Sequence, residues 1–257
     1  MKIPVIGIVG GVGPYAGLEL NRKVFENTLT DGSDQSHLEV LLFSAGTRVP
    51  DRTEYLLGRE ENNPAEGLYQ ALAALSAAGA EIAAIACNTA HSEKIIGPLK
   101  ERISREGPKI ELLDLIEETG AYIRQRFGSK TAAGLLATEG TLATGVYDRL
   151  SAERSGRIGL IMPEPEVSAL VHRAIYDRDY GIKARSAPVS ARARADCLRA
   201  VEHLAAKGAR LVILGCTELP LALPERNIGD LPLIDPGEVV ARALIHRVAP
   251  EKLKPES

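Results

Sequence analysis

Apolar residues fall along this chain in two alternating textures. Short unbroken runs occupy residues 3–9, 40–43, 82–86, 110–115, 132–137, 158–162 and 211–214, and longer stretches between them repeat apolar positions every three or four residues. Continuous blocks of Val, Ile, Leu and Ala suit strands buried on both faces, and periodic segments between them suit helical crossovers. The pattern predicts an α/β protein in which mostly parallel sheets are flanked by helices. Between 64 and 79, Leu68, Leu72 and Leu75 stand at i, i+4 and i+7, and Gly79 supplies a stop. A second helix is expected over 236–248, entered through Pro236. The polar end, 251–257, is expected to fray.

The two halves of the chain echo each other. Gly7-Ile8-Val9-Gly10-Gly11 opens the first, and Gly134-Leu135-Leu136-Ala137-Thr138 stands in the second. Cys87 closes the run 82–86, and Cys216 follows the run 211–214 at nearly the same offset. The echo predicts two similar lobes, one formed by 1–108 with a returning 224–257 and the other by 109–223. Open α/β sheets bind ligands outside the carboxyl ends of their strands. Each lobe would therefore bring one thiol to a shared cleft, and modest hinge closure would exclude water from it.

Composition narrows the function. The 257 residues are 45% hydrophobic and 25% charged, ordinary for a globular protein with a sizeable core. Lys+Arg 31 against Asp+Glu 34 leaves a formal net charge of −3, which is no footprint for nucleic acid. Aromatic residues are 4% with no Trp, so no stacking surface for single strands is expected. No apolar run approaches the ~20 residues of a membrane span. A single Lys2 precedes the first strand-like run, unlike a signal peptide. Three cysteines make no disulfide framework, and reduced thiols in a cytoplasmic enzyme are expected.

The thiols have polar company. Around the first the chain reads Ala86-Cys87-Asn88-Thr89-Ala90-His91, and around the second Gly215-Cys216-Thr217-Glu218-Leu219. A Cys at a strand-to-helix turn lies where the helix dipole favours thiolate. Asn88, Thr89 and Thr217 are short donors that could cradle a small carboxylate. One buried Cys after a strand is ordinarily a small hydrophobe; matched polar flanks set this pair apart. Cys197 is the internal control, because Val201 and Leu204 follow it at i+4 and i+7 as in a helix core. His91 lies one turn after Cys87, but a zinc site needs three or four ligands and no partner motif accompanies it. His91 is therefore expected to pack or cap the turn, and no metal is expected. Two thiols facing one carbon suit two-base proton transfer, in which one waits as thiolate and the other as thiol. That chemistry needs no organic cofactor.

Two other classes compete. Gly11-Val12-Gly13-Pro14-Tyr15-Ala16 fits the dinucleotide pattern G-x-G-x-x-A after a strand. An NAD(P)-dependent oxidoreductase would also want an acid at the end of the second strand, where the chain reads Leu42-Phe43-Ser44-Ala45. A catalytically silent carboxylate-binding protein on the same fold would have no use for two thiols.

Five segments together resemble the aspartate/glutamate racemase superfamily: Gly10-Gly11-Val12-Gly13-Pro14, Pro50-Asp51-Arg52-Thr53, the run from Ala86 to His91, the block GLLATEGT at 134–141, and Gly215-Cys216-Thr217-Glu218. Gly10-Gly11 stands where the glutamate branch usually carries Asp-Ser, so the resemblance is to the aspartate branch. The resemblance implies two lobes with the active site between them. It makes Cys87 and Cys216 the proton donor/acceptor pair and gives Asn88, Thr89 and Thr217 the α-carboxylate. Arg52 would meet the distal carboxylate, where a planar fork can bind bidentately. Lys183 in Gly181-Ile182-Lys183 would help it, and Glu218 would orient a neighbour or cap its helix. Val12 stands on the substrate wall where family members commonly have Met, and residues 44–47 replace an Asn/Pro-containing stretch there. The implied substrate is an acidic amino acid, aspartate before glutamate, or another carboxylate handled by a related isomerase. The implied enzyme is a homodimer without cofactor.

Overall fold

A computed structural model describes residues 3–152 and 156–256; Lys2 and the last residue of the polar end, Ser257, lie outside them. Val5–Gly10 (β1), Val40–Ser44 (β2), Ala80–Ile85 (β3) and Glu111–Leu113 (β4) form one parallel sheet in the order β2-β1-β3-β4. Ala132–Leu136 (β5), Gly159–Ile161 (β6), Leu211–Leu214 (β7), Asn227–Ile228 (β8) and Leu231–Ile234 (β9) form the second, ordered β6-β5-β7-β9-β8 and parallel except for β8. With β8 set aside the two orders are the same permutation, so the echo in the sequence is a repeat in topology.

All seven apolar runs are strands. The structure adds β8 and β9, a pairing the sequence hides because β9 is four residues long and contains Pro232, which ordinarily demotes a run. Pro232 sits outside the stretch of β9 that pairs with β7, where Val212 faces Leu233 and Ile213 faces Ile234. These strands correct the lobe boundaries read from the sequence. β4, expected in the second lobe, hydrogen-bonds to β3 of the first sheet, and β8 and β9, expected to return to the first lobe, belong to the second sheet.

Strand side chains alternate between two cores. Ala16–Asn27 (α1), Arg52–Leu56 (α2), Ala65–Ala77 (α3), Glu93–Glu106 (α4) and Leu115–Phe127 (α5) follow the strands of the first half. Glu139–Ala143 (α6), Arg149–Ala152 (α7), Pro165–Tyr176 (α8), Ala191–Ala206 (α9), Leu219–Ala222 (α10) and Pro236–Val248 (α11) belong to the second. Ile6 and Ile8 of β1 share one core with Leu135 and Ile213 of the second sheet, and α1, α5 and α11 fill it through Leu20, Ile116, Ile123, Val240 and Leu244. The other face of the first sheet packs Val9, Ala83 and Ile85 on Leu68, Leu72 and Leu75 of α3 and on α4. The other face of the second sheet packs Val212 and Leu214 on α8 and α9, where Cys197, Val201 and Leu204 are core as expected. Each buried Leu contributes about 1.5–3 kcal/mol.

The repeat extends to the spacing of these layers. A Cβ on Gly7 would stand 3.3 Å from Leu75 and 3.1 Å from Ala80; one on Gly134 would stand 2.9 Å from Leu204 and 3.2 Å from Ala209. In both lobes a glycine on the central strand lets the outer helix approach closely. The expected fraying of the polar end is corrected too. Leu253 bridges Thr28, Lys254 N donates to Asn27 O at 2.9 Å, and Arg242 donates to Lys254 O, so the tail is tied to the end of α1 by its backbone. No helix among the described residues is long and apolar enough to cross a membrane.

Candidate active site

Cys87 follows β3 and Cys216 follows β7, each just past the carboxyl end of a buried strand. Both are free, with 5% and 7% of their surface exposed. Alternation along the strands puts Cys87 against the α3/α4 core and Cys216 against the α8/α9 core. The two thiols line one cleft between the sheets. Every residue the sequence reading assigned lines it: Val12, Arg52, Asn88 and Thr89 from the first half, and Lys183, Thr217 and Glu218 from the second.

The Cys87 wall carries a buried cation. Asp51 caps α2 by accepting from Thr53 N at 2.8 Å and Glu54 N at 3.0 Å, which fixes Arg52 at the first turn. Arg52 Nη2 donates to Val12 O at 2.6 Å and Nη1 to Pro50 O at 3.1 Å, while buried Nε has no hydrogen-bond partner among the described residues. Burial works against the Arg52 charge, and the neighbouring Cys87 and Asp51 outweigh it, so its affinity for the proton rises. Gly11 holds the loop beneath: its φ is +78°, and a Cβ there would come within 2.4 Å of Gly46 N. Residues 44–47, expected on the substrate wall, thus pack on Gly11, and Val12 alone of the two departures reaches the cleft. His91 packs the turn, as expected. Nδ1 donates to Cys87 O at 2.8 Å, and Leu115 N donates to Nε2 at 3.3 Å, so both ring nitrogens are engaged.

The Cys216 wall carries a buried anion. Cys216 Sγ donates to Glu218 Oε2 at 3.1 Å, and Thr217 Oγ1 donates to the same oxygen at 3.3 Å. Glu218 makes no side-chain cap to α10; its carboxylate is turned to Cys216 and Thr217 instead. Burial, reinforced by Glu218, pushes the Cys216 thiol well above its usual range, with Lys183 opposing. Lys183 Nζ lies 3.4 Å from Glu218 Oε1 and 5.0 Å from the centre of the Tyr176 ring. Burial would discharge this lysine, and Glu218 and Tyr176 together hold it charged. The Tyr176 phenol is itself raised to about 12 by burial.

Three further residues line the cleft: Thr53, Thr138 and Tyr176. Thr53 and Thr138 stand inside the quoted motifs and were within reach of the sequence. Tyr176 was not, because its place depends on contacts across the chain: its hydroxyl donates to Thr53 at 3.4 Å, and its ring stacks on His172. The walls are also cross-braced. Thr141 of α6 shares a hydroxyl hydrogen bond with Thr89 at 2.8 Å, and Gly140 approaches Thr53 so closely that a Cβ would clash at 2.8 Å.

Residues 2–244 match the family model described as Asp/Glu/Hydantoin racemase, and the chain belongs to that family. Its fold is similar to that of Picrophilus torridus aspartate racemase, with 24% identity, a TM-score of 0.75, and coverage of 95% of this chain and 94% of that one. Glutamate racemase from Francisella tularensis, solved with D-glutamate, is similar at 16% identity and TM-score 0.62, over 99% of this chain and 84% of that one. Allantoin racemase from Klebsiella pneumoniae is similar at 14% identity and TM-score 0.53, over 99% and 94%.

Proposed function

We propose that this protein is a cofactor-independent racemase of an acidic amino acid, aspartate before glutamate, moving the α-proton between Cys87 and Cys216. The observation that carries the reading is a pair of free, buried thiols, one from each sheet, in a cleft that also holds two cations, buried Arg52 and half-buried Lys183. A substrate with one α-carboxylate and one side-chain carboxylate matches that charge better than a neutral amino acid does. Arg52 and Lys183 take the distal carboxylate, and Asn88 and Thr89 with the adjoining backbone take the α-carboxylate.

In the proposed cycle a thiolate on one wall removes the α-proton. Charge develops on the α-carboxylate, where preorganised donors stabilise it. The thiol on the other wall then delivers its proton to the opposite face. The sulfur that began charged ends protonated and its partner ends charged, so each turnover leaves the pair set for the reverse direction. Cys216 rests as the thiol, because burial and Glu218 favour its proton. Arg52 stands beside Cys87 to balance a thiolate there. Glu218, 3.1 Å from Cys216 Sγ, accepts its hydrogen bond and aims the thiol; Cys216 becomes the base once its proton has gone to substrate and Cys87 holds the other. A homodimer belongs to the same reading, supported by Tyr15, Leu18, Phe25 and Leu29, exposed apolar residues on and beside α1 that a second copy would cover.

The test is proton NMR of the purified protein with D- or L-aspartate, then glutamate, in D₂O without added cofactor. Loss of the α-proton signal together with appearance of the opposite enantiomer is the expected result. No exchange with either amino acid would remove the racemase reading and leave only the fold.

A further inference from the structure

Asn88 is buried, and the two ends of its amide have opposite surroundings. Oδ1 accepts a hydrogen bond from the Tyr147 hydroxyl at 2.5 Å, whereas buried Nδ2 has no partner among the described residues. Asn88 lines the cleft, and Tyr147 does not. Tyr147 follows α6 in the second half and is fully buried in the core shared by the two sheets, 59 residues along the chain from the amide it holds. Burial raises its phenol well above the ordinary value, so it is a neutral donor at any working pH.

From these contacts we infer that Tyr147 is a positioning residue that fixes which end of the Asn88 amide faces the substrate. The two ends of a carboxamide are close in shape and opposite in polarity. With Oδ1 committed to Tyr147, Nδ2 is the end left to donate. An anionic carboxylate oxygen is the acceptor that suits it. Reversed, the amide would present a carbonyl oxygen to that carboxylate and repel it. The buried orphan Nδ2 would be costly if nothing bound there, since an unmet buried donor has given up its hydrogen bond to water for nothing. The substrate carboxylate therefore completes a hydrogen-bond set that the second lobe has already half assembled on the first. The inference rests on the racemase reading for the identity of the ligand, but the amide's orientation does not.

Tyr147→Phe removes one oxygen and keeps the ring in its core. The expected result is a rise of about tenfold in KM for aspartate, with kcat changed less than about threefold, because the bound amide can still donate once it has been turned. Asn88→Ala raises KM at least as far. The discriminating measurement is the double variant: Asn88→Ala/Tyr147→Phe is no worse than Asn88→Ala alone, because Tyr147 has lost the group through which it acts. Additive losses, or a Tyr147→Phe defect confined to kcat, would overturn the assignment. Thermal unfolding of all three variants separates these effects from lost stability. Wild-type protein that racemises neither aspartate nor glutamate removes the function proposed above instead. The same cycle is then read from L-aspartate dissociation constants by calorimetry, where non-additivity supports the Tyr147 assignment and additivity overturns it.

Discussion

On one side of the cleft Cys87 faces the Arg52 guanidinium; on the other, Cys216 hands its hydrogen to the Glu218 carboxylate. The two walls arise from strands that hold the same place in two sheets of the same order, and both end in a cysteine. Their neighbours at corresponding places differ in kind. Thr89 follows Cys87 by two residues where Glu218 follows Cys216, and His91 follows by four where Pro220 stands on the other side. The repeated backbone supplies two equivalent positions, and the side chains around them set a guanidinium on one wall and a carboxylate on the other. Burial and that carboxylate push the Cys216 thiol up.

The comparison breaks most completely by removing either sulfur. Cys87→Ser and Cys216→Ser are each expected to lower racemisation by ~10³–10⁴-fold. Each still exchanges the α-hydrogen of the one enantiomer that its surviving thiol faces, so deuterium uptake from separate D- and L-aspartate samples should be one-sided and opposite in the two variants. Full turnover by either would sink the two-base scheme.

A smaller change tests the charges. Arg52→Lys, which loses the fork, is expected to raise KM by ~10–100-fold. Glu218→Gln is expected to act mainly on kcat, lowering it by about tenfold. Removing that anion also removes one reason for the high Cys216 value, so the alkaline limb of the pH–rate profile should move to lower pH. If the two variants gave the same kinetic signature, the walls would not differ as described.

The smallest expected effect concerns stability on the Cys87 side. Burial lowers the His91 value below the ~6.5 of an exposed imidazole. The folded state then binds fewer protons than the unfolded one, and stability present above about pH 6.5 is lost as pH falls below it. Between pH 7 and pH 5 the wild-type Tm should fall by about 2–4 °C more than that of His91→Gln, whose amide offers a donor and an acceptor but takes no proton. Equal slopes in a calorimetric series would show that the imidazole carries no such penalty.

What could be read from the sequence was whatever lies close along the chain. The seven strand runs, the helices around Leu68 and Pro236, and the two cysteine turns are local patterns, and each stands where its pattern put it. The strands around Pro232 escaped because a proline between two leucines looks like a break, and only the pairing with β7 makes it a strand. The docked tail escaped because backbone groups on both sides hold it, and those leave no mark on the composition. Tyr176 and Tyr147 escaped for a related reason. Each works through a partner far away in the chain, Thr53 in one case and Asn88 in the other, and nothing local marks a tyrosine for such a partner.

Helix α11 sits in the core that the two sheets share, against α1 and α5. It follows every strand of both sheets along the chain, while the sheet it helps to cover is completed by β4. On a ribosome adding ~5–20 residues per second, Ile6, Ile8 and the inner face of α1 wait on the order of ten seconds for their final cover. Early in translation the nascent chain is thus a half-covered sheet with an adhesive face. The N-terminal half cannot finish folding as it emerges. Its cover waits for α11, so the core shared by the two sheets is completed only when both halves of the chain are present.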